Sequence, residues 1–484
     1  MPEFLLGLDV GTTSARALVF DPAGKVTGAA QIPLTNANPF PGLVEQDATS
    51  LWECVRSTIA RALDTAGLRP DDLASIGVTT QRSSIVIWER ADIEPVAPVV
   101  VWSDLRGVGR AAELKSDGHP VMAVAAAAKL EAAVDAVPDG RSRAERGDLA
   151  WGTVDSYLVS RLSGGALHVT DYSSAWSSGY LDFLRPTGWN SPLIEHQGLP
   201  VDFFPDLCDT TGCLGATTAG AIGAEVPIGA IVADQQAGMF AHGATRPGDW
   251  KATYGTSGVL MTATGDTPDF TSGLVPMVQA GWSDRTLFAV EGMVNSAGGL
   301  VDWMVGLGLA GSPAALTALA AAVPDPGGVT VRPALQGLGA PHNDATARAE
   351  IRGLSGATTP AHLARAVLES IAYRIREIAD FTAARPEGCV PPESLPVDGG
   401  LARSDVFLQI QADILGRPVE RHHQVEATAL GAAMAGALGV GAATAADLAA
   451  CTCYGRVFEP TVDPAEAAEG LSHWQDTALG THPE

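Results

Sequence analysis

GLDVGTTSARALV, residues 7–19, and KATYGTSGVLMTA, residues 251–263, share one pattern: an apolar run, a Gly-Thr turn and a returning apolar run. In the first copy Phe4 to Asp9 reads as a strand, Val10-Gly11-Thr12-Thr13-Ser14 as a turn and Ala15 to Asp21 as the strand that returns. After the Pro22-Ala23-Gly24 turn, Val26 to Leu34 continues a β-meander. In the second copy Trp250 to Tyr254 leads into Gly255-Thr256-Ser257-Gly258 and out along Val259 to Ala263. Two short hairpins can agree by chance, but a repeat spaced about half the chain apart points to a duplicated domain. The Pro247-Gly248 turn puts the boundary between His242 and Asp249.

Outward from these copies, strand and helix patterns alternate. Asp47 to Ala66 has helical periodicity behind the cap sequence Asp47-Ala48-Thr49-Ser50. Leu73 to Thr80 and Ser84 to Trp88 read as strands, as does Ile228 to Ala233 before a helix from Gln235 to Ala241. Ser394 to Asp398, Gly399-Gly400 and a helix from Ser404 to Leu415 form another strand–glycine–helix unit. Such alternation predicts an α/β protein with mixed sheets and covering helices.

Thirty basic against 55 acidic residues give a net charge of −25, the wrong sign for a surface that binds nucleic acid or anionic lipid. With 46% hydrophobic and 18% charged residues the chain can bury a large core. The opening MPEFLLGLDV has an acid where a signal peptide carries a base, and residues 430–450 are too rich in Ala and Gly for a membrane span, predicting a packed helix plus loop. Cys54, Cys208, Cys213, Cys389, Cys451 and Cys453 form no CxxC pair, so reduced thiols and a cytoplasmic location are expected.

Several residues could carry chemistry. The Gly11-Thr12-Thr13-Ser14 turn could cradle phosphate with backbone N–H groups and hydroxyls, with Asp9 holding a hydrated Mg2+; an ordinary hairpin turn would look the same. Asp234 follows a strand, where open α/β sheets place catalytic groups; it could accept a proton from a hydroxyl, or cap the next helix, or both. Arg82 and Trp102, also at strand ends, could bind a polyol or be structural. Gly306-Leu307-Gly308-Leu309-Ala310-Gly311 matches G-x-G-x-x-G but follows a helix, so it reads as a loop. His422-His423 lacks further ligands in register and predicts no metal site.

Taken together, the ordered motifs resemble the FGGY carbohydrate kinases, in their glycerol-kinase-like branch. The likeness runs from LGLDVGTTSARALVFD (6–21) through GLVEQD, GVTTQRSS, VVWSDLR, GTVDSYL, HVTDYSSA, ADQQAGMF, TYGTSG, ALQGLGAPHND and VDGG to VERHHQVEATALGAAMAGALGVG (419–441). Residues 349–369, AEIRGLSGATTPAHLARAVLE, match the family's C-terminal signature. The resemblance implies two ribonuclease-H-like domains of the actin/hexokinase type, with an ATP and sugar cleft between them. Residues 1–243 would bind the sugar and carry the base; residues 244–484 would bind nucleotide. It implies that Asp234 is the catalytic base and that Asp9 supports Mg2+. Gly11, Thr12, Thr13 and Arg16 would hold the ATP phosphates, Thr256 would close on them, and Gly298, Gly399, Gly400 and Ser404 would line the nucleotide. Arg82, Ser83, Trp102, Asp234 and Gln235 would form the acceptor pocket. A homodimer is a further implication.

Against the glycerol kinases, Ser83 replaces an acid, Val124 aligns with a tyrosine and Val259 stands where an aromatic is expected. Loss of a carboxylate and two rings relaxes discrimination in a site built to bond hydroxyls. The expected function is therefore ATP-dependent phosphorylation of a longer polyol or ketose, such as a xylulose-like sugar, with glycerol as the alternative. A non-catalytic nucleotide- and sugar-binding sensor is the alternative of another class; the intact Asp9, Asp234 and Thr256 speak against it.

Overall fold

The computed structural model describes residues 3–480 except 184, 185, 187, 345 and 385–391. Cys389 therefore lies outside the described residues. The chain forms two compact units. The first comprises residues up to Gly243 with 277–287 and 428–451; the second comprises 244–276, 288–427 and the residues from Thr452 onward. The single cut expected at 243/244 coincides with the first crossing, but two later segments return to the first unit.

In the first unit, strands β1 (Phe4–Val10), β2 (Ser14–Phe20), β3 (Val26–Pro33), β4 (Leu73–Thr80), β5 (Thr211–Ala216) and β6 (Pro227–Ala233) form a sheet in the order β5-β6-β4-β1-β2-β3. The meander β1-β2-β3 is antiparallel, whereas β1, β4 and β6 run parallel to one another. β1 and β6 are buried almost throughout, as strands covered on both faces must be, while β3 alternates at the half-solvated edge. Helix α1 (Ala48–Ala66) covers one face with Leu51, Val55, Ile59, Ala62 and Leu63 at helical spacing. Its start is fixed by the Asp47 carboxylate, which accepts from Ser50 N at 2.6 Å, and its end by Gly67 at φ 68°.

The return of 428–451 has a steric cause. In the segment ATALGAAMAGALG, small residues let the backbone lie directly on the sheet. A Cβ at Gly77 of β4 would stand 1.7 Å from Ala432 O, and one at Gly7 of β1, its neighbour in the ladder, 2.0 Å from Ala429 O. Sequence pattern shows that this helix is apolar and small, but not which sheet it meets.

In the second unit, β7 (Trp250–Tyr254), β8 (Gly258–Gly265), β9 (Arg285–Val294), β10 (Leu395–Asp398), β11 (Val419–His422) and β12 (Tyr454–Phe458) follow the order β9-β8-β7-β10-β11-β12, with β9 contributing Phe288 to Val294. β7 pairs antiparallel with β8 and parallel with β10, repeating the arrangement of β1 with β2 and β4. Helix α2 (Asp234–Ala241) follows β6 directly, and helix α3 (Gly298–Gly306) begins four residues after the last of β9. Helix α4 (Pro360–Ala383) buries Ala364, Val367, Leu368, Ile371, Ile375 and Ile378 in the core of the second unit, beside α5 (Asp405–Leu415). The small-residue helix α6 (Ala427–Gly439) is followed by a short helix, Ala445–Cys451, where a loop was expected.

Candidate active site

Three parallel strands of the first unit end together. Val10, Thr80 and Ala233 are lateral neighbours in β1, β4 and β6, so Gly11, Gln81 and Asp234 leave the sheet side by side at its carboxyl edge. That edge is where open α/β sheets bind ligands. Asp234 is the first residue of α2, one position past the cap residue Ala233, and its carboxylate still takes up a first-turn N–H. Its Oδ1 accepts from Gln235 N at 2.7 Å and lies 3.3 Å from Arg82 Nε. Just upstream, Ala233 N donates to Ser173 Oγ, and Ser173 Oγ donates to the buried Asp171 carboxylate at 2.7 Å. This strap holds the strand end from which Asp234 projects.

Asp9 is buried near the end of β1, directly opposite Arg16 on β2; their side chains share a face, with Arg16 Nη1 3.4 Å from Asp9 Oδ2. A single carboxylate suits Mg2+, which takes one or two ligands from a protein and the rest from phosphate oxygens and water. Among the described residues no group of three or more His, Cys, Asp and Glu could hold a metal ion. The His422 Nδ1 instead lies 2.8 Å from Gln424 O and 3.0 Å from Gln424 N. Cys54, Cys208 and Cys213 are thiols.

The two threonines of the first turn differ. Thr13 is exposed, whereas the Thr12 hydroxyl accepts from the Trp102 indole at 2.9 Å and donates to Gln81 Oε1 at 3.1 Å. Trp102 is held by its backbone as well. Its N–H donates to Ser84 Oγ, and its carbonyl accepts from Lys129 Nζ at 2.9 Å. Burial pushes the Lys129 ammonium down to about 7, with Asp104 opposing that shift. Gln46, Lys129, Asp171 and Ser173 were missed as site residues. The available signal for Lys129 was a charged side chain set in the apolar run AAAAKL; Gln46, Asp171 and Ser173 lie in polar stretches that carry no such signal.

Ser83, at φ 60°, donates its hydroxyl to Ser177 O at 2.6 Å, so this position is turned into the protein. Val124 is 36% exposed and Val259 is buried in β8.

In the second unit, Gly255 to Ser257 form the turn between β7 and β8 and abut the start of α3. Gly298 N donates to Gly255 O at 2.9 Å, and Ala297 N and Gly299 N donate to Thr256 O. Thr256 itself is exposed. Gly399, at φ 94°, follows β10, where a Cβ would stand 2.6 Å from Tyr254 O; Gly400 comes next. Gly399 thus lets the ends of β7 and β10 approach closely, whereas a Cβ on Gly400 would meet nothing within 4 Å. Ser404, expected at the nucleotide, uses its Oγ to accept from Phe407 N at 3.2 Å as the cap of α5. The 306–311 glycine string starts on the last residue of α3 and continues as a turn, without a preceding strand.

Each unit thus presents a parallel-strand edge followed by a glycine turn, and the edge in the first unit carries a carboxylate beside an arginine. Residues 4–241 match the family model for the N-terminal domain of the FGGY family of carbohydrate kinases, and residues 250–440 match its C-terminal domain. The chain belongs to this family. A glycerol kinase of Aromatoleum aromaticum is 41% identical, with 98% of this chain and 97% of that protein covered. The structure of Plasmodium falciparum glycerol kinase with ADP superposes with a TM-score of 0.87 at 22% identity, covering 99% of this chain and 98% of the other. A xylulose kinase from Rhodospirillum rubrum gives a TM-score of 0.81 at 27% identity, with 99% of both chains covered. The chain is thus an FGGY kinase of the glycerol-kinase-like branch, a phosphotransferase with an alcohol group as acceptor. No helix among the described residues is long and apolar enough to cross a membrane.

Proposed function

We propose that the chain phosphorylates glycerol with ATP, Asp234 acting as general base. The observation that carries this reading is the placement of Asp234 at the carboxyl edge of β6, 3.3 Å from Arg82 and in register with the turn that follows β1. The acceptor hydroxyl attacks the γ-phosphorus, its proton passes to an Asp234 oxygen and ADP leaves. Arg82 holds both the carboxylate and the acceptor in place, while Trp102 and Gln235 complete the pocket. Arg16, Thr13 and the N–H groups of the first turn bind phosphate; Thr256, Gly298, Gly399 and Gly400 of the second unit bind nucleotide. Mg2+, supported by Asp9, neutralises phosphate charge when bound. In this reading the first unit is the sugar-binding part and the second the nucleotide-binding part.

Glycerol is favoured by 41% identity to a glycerol kinase across nearly the whole chain. A second reading, a longer polyol or ketose such as xylulose, is favoured by Ser83, Val124 and Val259 at positions where a carboxylate and two rings are expected. An ADP-release assay over glycerol, xylitol, xylulose and ribulose separates the two. The proposal expects glycerol to give the highest kcat/KM. A ketose more than tenfold better would establish the second reading, and inactivity across the panel with ATP still bound would leave a sensor.

A further inference from the structure

Thr12 sits in the turn assigned to phosphate, yet its side chain faces the acceptor side of the site. The directions of its hydrogen bonds are fixed by two groups that cannot change role. An indole N–H only donates, so Thr12 Oγ1 accepts from Trp102 Nε1 at 2.9 Å. A carbonyl only accepts, so the amide whose nitrogen lies 2.7 Å from Thr12 O, that of Gln46, presents its Nε2 there. Gln46 Oε1 must then face Gln81 Nε2, which donates to it at 3.1 Å. This leaves Gln81 Oε1 toward Thr12, whose single proton it takes at 3.1 Å, and toward the Ser84 hydroxyl, also at 3.1 Å. Gln46, Gln81 and Ser84 are 3%, 2% and 0% exposed, so water does not compete for these bonds.

The circuit runs in one direction: Trp102 indole to Thr12 hydroxyl, Thr12 hydroxyl to Gln81, Gln81 to Gln46, and Gln46 back to the Thr12 carbonyl. A hydroxyl has one proton to give, and this one is already given; a phosphate oxygen needs a donor. We infer that the Thr12 side chain is not a phosphate ligand but the joint that fixes the Trp102 ring of the acceptor pocket to the phosphate turn. Gln81 and Gln46 act as positioning residues that hold this joint. Thr13, exposed on the same turn, is the threonine left to meet phosphate. The inference rests on the proposed roles of Trp102 and of the turn. It deepens them by naming a physical link between nucleotide and acceptor sites within one unit.

The test measures MgATP affinity by calorimetry and steady-state kinetics with glycerol or xylulose, whichever the wild type turns over with higher kcat/KM. Thr12→Val removes both side-chain bonds. It is expected to raise the acceptor KM about tenfold, the range for losing one or two hydrogen bonds, while the ATP dissociation constant stays within twofold. Thr12→Ser keeps the hydroxyl and is expected to restore the acceptor KM. Trp102→Phe removes only the other end of the bond, so adding it to Thr12→Val should cost less than the sum of the single changes. Gln81→Met probes the joint from a residue outside both binding sites, and the same pattern is expected. An ATP affinity that drops tenfold in Thr12→Val or Gln81→Met with the acceptor KM unchanged overturns the inference. Additive effects of the Thr12 and Trp102 changes overturn it as well. Asp234→Asn provides the separate check on the reading beneath it: full turnover in that variant removes the catalytic assignment, whatever Thr12 does.

Discussion

The two hairpin turns that begin each half of the repeat differ in length and in what holds them. Val10 pairs with Ala15 across four turn residues, whereas Tyr254 pairs with Gly258 across three. The first turn accepts one backbone N–H from outside the hairpin, Leu34 N to Thr13 O, and is otherwise fixed by side chains, through Gln46, Gln81 and the Trp102 indole. The second is fixed by backbone, through the N–H groups of Ala297, Gly298 and Gly299 at the start of α3. One ancestral-looking motif is thus stabilised in two ways. The first turn is sensitive to loss of polar side chains, and the second to any atom added between backbones.

Glycine substitutions give the largest contrast. In Gly298→Ala the new Cβ would stand 2.5 Å from Gly255 O, a clash with backbone that only a shift of α3 or of the turn can relieve. A loss of about 2–3 kcal/mol in urea unfolding, together with weakened MgATP binding, is expected. Gly11→Ala meets nothing closer than Ser14 O at 3.8 Å, so its unfolding midpoint should match the wild type. Any loss of ATP affinity there then reports the approach of phosphate to the Gly11 backbone. Equal destabilisation of the two variants would erase the distinction between the turns.

Polar truncation should reverse the order. Gln81→Leu leaves Gln46 Oε1 and the Ser84 hydroxyl without their buried partner, a cost of about 2–3 kcal/mol by denaturant unfolding. Thr256→Val removes an exposed hydroxyl and should change stability by less than about 0.5 kcal/mol, its effect falling on kcat. A Thr256→Val protein as unstable as Gln81→Leu would mean that the second turn also depends on side chains.

Much of this was legible in the sequence. Apolar runs ending in Gly-Thr turns gave the strands, and the placement of Asp9, Arg82 and Asp234 at strand ends gave the edge proposed as catalytic, because a parallel ladder aligns strand ends without any help from side chains. Helix α1 was legible down to its cap, since Asp47 and Ser50 interact within one turn of chain. The rest depends on contacts far apart in sequence. Thr12 and Trp102 are 90 residues apart, and nothing local tells which of two adjacent threonines points at an indole. Ser404 reads equally well as a ligand or a helix cap until Phe407 N is seen to use it. The helix 427–439 lies in sequence between two segments of the second unit and packs in the first, through glycines whose absent side chains leave no trace in a hydrophobic pattern.

The central claim is that Asp234 takes the proton of an alcohol acceptor during transfer from ATP. The direct measurement is acceptor-dependent ADP release by Asp234→Asn beside the wild type, with MgATP binding followed on the same preparations. The account predicts that turnover falls by at least about a thousandfold while the ATP dissociation constant changes less than twofold. An Asp234→Asn enzyme that binds ATP normally and still phosphorylates its acceptor at a rate near that of the wild type would contradict it.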